Sequence, residues 1–150
     1  MSIPFEGRVQ ARRGAQLHVQ LKLTSIPARC PNREVDIEGR VINVFRGQAL
    51  LQPGALVSFP IWVVRRGGEP TGPAFVYHDA LVAASHVEAY LEGTPPSCRL
   101  AAYEFTLLQA PTPIPAMSVD DLERMYSDAM SCVAVGRRNA RWWEIWKRWL

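Results

Sequence analysis

The side chains able to do chemistry are few and scattered. Three histidines (His18, His78, His86) and three cysteines (Cys30, Cys98, Cys132) are spread along 150 residues. The cysteines form no CxxC pair and are odd in number, which indicates neither a disulfide framework nor a zinc site; reduced, mostly buried thiols are expected. Tyr77, His78 and Asp79 are adjacent, but consecutive residues of a strand point to opposite faces and make no dyad. The glycine-rich "RRGGEPTG" lacks the Gly-Lys-Ser/Thr ending of a phosphate loop. No thiol stands beside a recognisable base, and no carboxylate pair has a motif around it. The expectation is a chain with no catalytic residues, no cofactor and no metal, whose histidines are satisfied or solvated.

The elements that would carry these groups read mainly in period two. A composition of 48% hydrophobic and 21% charged residues suits one globular domain with a core and a small appendage. In "AQLHVQLKLTSI" Leu17, Val19, Leu21 and Leu23 point one way and His18, Gln20, Lys22 and Thr24 the other, a half-buried strand. "EVDIEGRVINVFRG" repeats the pattern, with Val35, Ile37, Val41 and Phe45 on one face and a bend at Gly39. "PGALVSFPIWVVRR" is the third strand, with Ala55, Val57, Phe59, Ile61 and Val63 inward and Pro60 marking an edge or bulge. "FVYHDALVAA" reads as a short helix or irregular chain, and "SHVEAYLEG" and "RLAAYEFTLLQA" as two further strands around the turn "TPPS".

Three strands, a short crossing and two more strands resemble the OB-fold superfamily over about residues 15 to 110. The resemblance implies a small five-stranded barrel over residues 1–110. A proline-rich linker, "APTPIPA", follows over 111–117, and amphipathic helices over 118–150. The first helix starts at Ser118, with Asp121 at capping spacing, and carries Leu122, Met125, Tyr126, Ala129, Met130 and Val133 at helical intervals, stopping at Gly136.

The second helix is the unusual one. "RRNARWWEIWKRWL" holds four of the five tryptophans. On a wheel, Trp142, Trp143, Ile145, Trp146, Trp149 and Leu150 share an arc of about 160°. Four tryptophans present on the order of 600 to 1,000 Å², more than the roughly 300 to 600 Å² of a typical monomer's largest apolar patch. Something must cover them: the protein's own body, a second copy, another protein, or, weakly, a membrane surface. Trp142, Trp143, Ile145, Trp146 and Trp149 are therefore the candidate partner-binding residues.

Charge divides along the chain. Residues 137–150 hold five basic side chains against Glu144, a net of +4, while residues 1–136 hold 12 basic and 13 acidic groups, a net of −1. A body near neutrality has no footprint for gathering a phosphate backbone. The OB resemblance nevertheless implies a single-strand nucleic-acid face as the alternative, for which Arg40, Arg46, Trp62, Arg65 and Arg66 are the candidates. The N-terminus has no apolar leader region, and no stretch approaches about 18 uncharged apolar residues. The whole reads as a cytoplasmic, non-enzymatic interaction or assembly module, with a nucleic-acid-binding OB domain as the alternative.

Overall fold

The computed structural model describes residues 5–67, 75–116 and 118–134. It is mainly β. The order is α1 (Phe5–Gly14), β1 (Leu17–Ser25), β2 (Arg33–Arg46), β3 (Leu56–Val64), β4 (Phe75–Tyr77), α2 (His78–Ala83), β5 (His86–Thr94), β6 (Ser97–Leu108) and α3 (Val119–Ala134). Contacts divide the chain into two compact units, Met1–Ala116 and Met117–Leu150. All six strands belong to one sheet of order β2-β1-β5-β6-β3-β4, with β2 also paired to β3. The sheet therefore has one strand more than the sequence suggests. The ambiguous "FVYHDALVAA" divides into three residues that run parallel to the end of β3, followed by the short helix α2.

The alternation of β3 places Val57, Phe59, Ile61 and Val63 in the core, beside Leu17, Val19, Leu21, Ile37, Val41, Val87, Ala89, Leu91 and Leu100. Pro60 sits in β3 without breaking a ladder. The Ser58 amide points away from β2, donating to Pro96 O at 2.8 Å, so two residues on the missing amide of Pro60 points the same way. There β3 meets β6 only at Ser58 and β4 only from Trp62, so Pro60 falls in the gap between them.

Three irregularities re-aim side chains that strict alternation would misplace. In β2, Val19 pairs with Val44 but His18 with Arg46, so Phe45 is an extra residue. Val44 packs on the core instead of Phe45, and the Phe45 ring lies 4.9 Å from His18 on the opposite face. A second extra residue, Ile42, separates the Gln20–Asn43 and Leu21–Val41 pairs. In β6, Ala89 pairs with Phe105 and Leu91 with Leu100, which leaves residues 101–104 opposite Tyr90 alone. Ala102 and Tyr103 there adopt positive φ, 44° and 60°, a strained backbone for residues with a Cβ.

The first strand is not half-buried as its polar alternation suggests. Leu17 through Leu21 are all buried, His18 and Gln20 included. Two segments cover that second face. Ala11 and Ala15, at the end of α1, pack with Tyr90 and Ala101, and α1 itself has no counterpart in the strand-by-strand reading. Residues 112–116, expected to be linker, are tied to the sheet. The Thr112 amide donates to Gln20 Oε1 at 2.9 Å, and the Ala116 amide to Glu88 Oε2 at 2.8 Å.

Within the second unit, α3 begins as its sequence indicates. The Asp121 amide donates to Ser118 Oγ at 3.0 Å, and the Ser118 amide to Asp121 Oδ2 at 3.2 Å, two otherwise orphaned donors satisfied reciprocally. The Ser118 hydroxyl also donates to Asp121 Oδ2 at 2.7 Å, and this bond, with that of the Ser118 amide, holds the Asp121 carboxyl below its ordinary range. The predicted second helix lies outside the described residues.

Gly39 is where β2 serves both neighbours, in register with Leu23 of β1 and Val57 of β3. A Cβ there would lie 2.8 Å from Leu21 Cβ and 3.1 Å from Lys22 O, neither of which is a flexible end. Gly39→Ala is expected to destabilise the fold by about 1 to 3 kcal/mol, read as a lower urea midpoint at an unchanged slope.

Candidate functional site

Two polar clusters stand out, one closed and one open. The closed one lies on the second face of the central strands. His18 pairs directly with Tyr90 and Gln20 with Glu88 across β1 and β5, so alternation puts all four side chains on that face. The His18 ring stacks on Tyr90 with centroids 4.0 Å apart. Its Nε2–H donates to Glu88 Oε1 at 2.8 Å, and Gln20 Nε2 donates to Glu88 Oε2 at 2.8 Å. Burial pushes the Glu88 carboxyl upward. The bonds from His18, the Ala116 amide and Gln20 outweigh it and hold the group below its ordinary range.

The same face carries a second carboxylate. Arg8 and Arg12 are four residues apart and so share one side of α1. Both grip Glu104, at 2.5 Å to Oε1 and 2.6 Å to Oε2, and the bulge in β6 is what brings Glu104 to them. The Arg12 guanidinium also lies 4.9 Å from the centre of the Tyr90 ring. Burial raises the Tyr90 hydroxyl, with Arg12 opposing it and Glu88 reinforcing it. Arg12, Glu88 and Glu104 are each nearly inaccessible, at 2%, 2% and 3% exposure. Among the described residues no buried side-chain nitrogen or oxygen lacks a partner. Closed and satisfied, this layer does the work of a structural joint.

The open cluster is a cleft of about 350 Å³ lined by Arg29, Cys30, Arg65, Arg66, His78 and Asp79. Three segments meet there: the β1–β2 connection, the end of β3 and the start of α2. Asn32, at a φ of 47° that suits asparagine, joins the first two by accepting from the Arg65 amide at 3.0 Å and from Cys30 Sγ at 3.2 Å. His78 Nε2 donates to Pro27 O at 2.7 Å and joins the third. Arg66 bonds Asp79 at 2.8 Å and lies 4.6 Å from the centre of the Tyr77 ring. That bond lowers the Asp79 carboxyl and raises the Arg66 guanidinium.

The five candidates for a nucleic-acid face are dispersed by the fold. Arg40 donates to Gly54 O at 2.7 Å. Arg46 donates to the carbonyls of Arg12, Arg13 and Ala15 at 2.7, 3.0 and 2.9 Å, closing the end of α1. Trp62 is half-buried, in register with Glu34 on one side and Phe75 on the other. Only Arg65 and Arg66 meet, in the cleft, joined by Arg29, which no motif marked. The same register sets Asp36 beside Pro60 and Glu38 beside Ser58, so the face Trp62 shares carries three carboxylates. Trp142, Trp143, Ile145, Trp146 and Trp149 lie outside the described residues.

No protein-family model matches the chain, and no curated protein matches it either. Among the described residues no group of histidines, cysteines and carboxylates is arranged to hold a metal ion, and no helix is long and apolar enough to cross a membrane. The buried layer went unread because its members are separated by up to 96 residues. The one local signal was the spacing of Arg8 and Arg12.

Removing Glu104 takes from the buried Arg12 guanidinium the carboxylate it bonds at 2.6 Å. Glu104→Ala is expected to cost about 3 to 5 kcal/mol, whereas Arg99→Ala, which breaks an exposed pair with Glu92, should cost less than about 1 kcal/mol; chemical denaturation of both variants checks the contrast. For Glu88 the folded-state pKa is depressed, so its contribution is present above the unfolded value of about 4.3 and is lost as pH falls through the lower folded value. Glu88→Gln should be about 1.5 to 3 kcal/mol less stable at pH 7. It should also lose less stability than the parent on acidification below pH 4.3, measured by urea melts across that range.

Proposed function

We propose that this chain is a non-enzymatic interaction or assembly module of the cytoplasm. In this reading an OB-type barrel carries a basic, tryptophan-rich segment that engages another protein or a second copy. The barrel reading is supported by the ring of pairings β1–β2, β2–β3, β3–β6, β6–β5 and β5–β1, with α2 between β3 and β5, which is the connectivity of the OB plan. The observation that carries the function is the composition of residues 142–149, four tryptophans interleaved with Glu144, Ile145, Lys147 and Arg148. Aromatic anchors with flanking charge are the residue types that dominate protein interfaces. The buried layer supports a scaffold role for the body, since its titratable groups are engaged with one another and with the covering segments.

The alternative is single-stranded nucleic-acid binding by the barrel. The meeting of Arg65, Arg66 and Arg29 favours it. The carboxylates Glu34, Asp36 and Glu38 beside Trp62 oppose it, because a phosphate backbone laid along β2 and β3 would be repelled. A third reading, weak association of segment 137–150 with anionic membrane surfaces, is supported by its tryptophans and five basic residues.

Replacing Trp142, Trp146 and Trp149 by alanine together should abolish concentration-dependent association in sedimentation equilibrium, or retention of the protein partner, and change the unfolding free energy by less than about 1 kcal/mol. A parent that stays monomeric at every concentration, and loses about 3 to 5 kcal/mol on Trp146→Ala alone, would sink the proposal and make the tryptophans internal cover. Association of the parent with anionic vesicles only would assign the segment to membrane surfaces.

A further inference from the structure

We infer that the cleft between the β1–β2 connection, the end of β3 and the start of α2 binds a small phosphorylated molecule, with Arg29 and Arg65 as the phosphate-binding groups. This inference concerns residues of the first unit, not segment 137–150, and does not rest on what that segment does.

Shape is the first argument. At about 350 Å³ the cleft falls within the roughly 300 to 1,000 Å³ of small-ligand sites. It is preformed. Asn32 ties the β1–β2 connection to the end of β3, and the His78 bond to Pro27 O ties that connection to α2. A ligand need not order these segments, which removes a large part of the cost of binding.

Charge is the second. Among the described side chains lining the cleft, three guanidinium groups face one carboxylate, a net of +2, in a body whose first 136 residues sum to −1. Arg66 is engaged with Asp79 and held against Tyr77. Arg29 and Arg65 are exposed and form no ion pair among the described residues. Each presents a planar fork that matches two phosphate oxygens, and they come from different segments, so one multiply charged anion can engage both.

Surroundings are the third. Trp62 lies two residues before the end of β3, and the exposed face it shares carries Glu34, Asp36 and Glu38. A polymer extending from the cleft along that face would meet three carboxylates, whereas a small anion stays among the arginines.

The test uses the full chain and sodium pyrophosphate as probe, at low ionic strength, by calorimetry and by melting temperature. Saturable binding with a raised melting temperature is expected. The double variant Arg29→Ala/Arg65→Ala should weaken it about tenfold or more while leaving the ligand-free melting temperature unchanged, because the structural tie at Arg65 is its backbone amide. Arg40→Ala should bind as the parent does. Pyrophosphate should also slow alkylation of Cys30, which lines the cleft, and peptide mass spectrometry would report this with buried Cys98 as internal reference. Absence of binding, or binding the double variant retains, overturns the inference. So does binding lost only when Arg137, Arg138, Arg141, Lys147 and Arg148 are replaced, since the anion would then sit on that segment. A single-stranded oligonucleotide that binds more tightly than pyrophosphate, with the same dependence on Arg29 and Arg65, would overturn the small-molecule assignment and make the cleft a nucleic-acid contact.

Discussion

Two carboxylates buried on the second face of the sheet constrain the rest of the first unit. Removing an ion from water costs several kcal/mol even after the protein relaxes, so Glu88 and Glu104 require hydrogen-bonding or oppositely charged partners. Neither finds them nearby in sequence. Glu104 is met by Arg8 and Arg12, and Glu88 by His18, Gln20 and the Ala116 amide. The N-terminal helix and the proline-containing segment after β6 are thereby drawn onto one face, and the central strands β1 and β5 become buried on both sides. Tyr90 links the halves, stacked on His18 and facing Arg12.

Bulges make this arrangement possible. A regular β6 opposite β5 would give one residue for each of its partners; four residues opposite Tyr90 lift the chain outward and deliver Ala101 and Glu104 to α1. The extra residue in β2 moves Phe45 out of the core and sets Arg46 opposite His18, where its guanidinium reaches the last carbonyls of α1. Side chains that look available for function are in this way engaged in structure. Arg46 is a helix cap, and His18 is a bridge between an aromatic ring and a carboxylate.

What remains for recognition is distributed by sign. The outward face of the β2–β3 pair is acidic, the cleft between the loops is basic, and the strongest positive charge lies in residues 137–150. Nearly neutral totals conceal this, because a ligand that contacts one of these groups of charges meets its sign and not the sum. A phosphorylated small molecule and an aromatic-binding protein partner could therefore be served by different parts of the same chain.

The sequence by itself determined the local features. Alternation identified the core residues of β3, because Val57, Phe59, Ile61 and Val63 recur at the spacing a one-sided strand needs. Ser118 and Asp121 identified the start of α3, because a capping box is made within four residues. Tertiary structure alone decided the long-range ones. Polar residues on β1 read as solvated, since alternation cannot reveal what covers the second face; that depended on Arg8, Arg12 and Ala116, distant in the chain. Phe45 read as core, since an extra residue shifts the phase of a strand without altering its composition. The cleft was invisible for the same reason. Arg29, Arg65 and His78 belong to three segments, and only the pairing of β2 with β3 and of β3 with β4 brings them together.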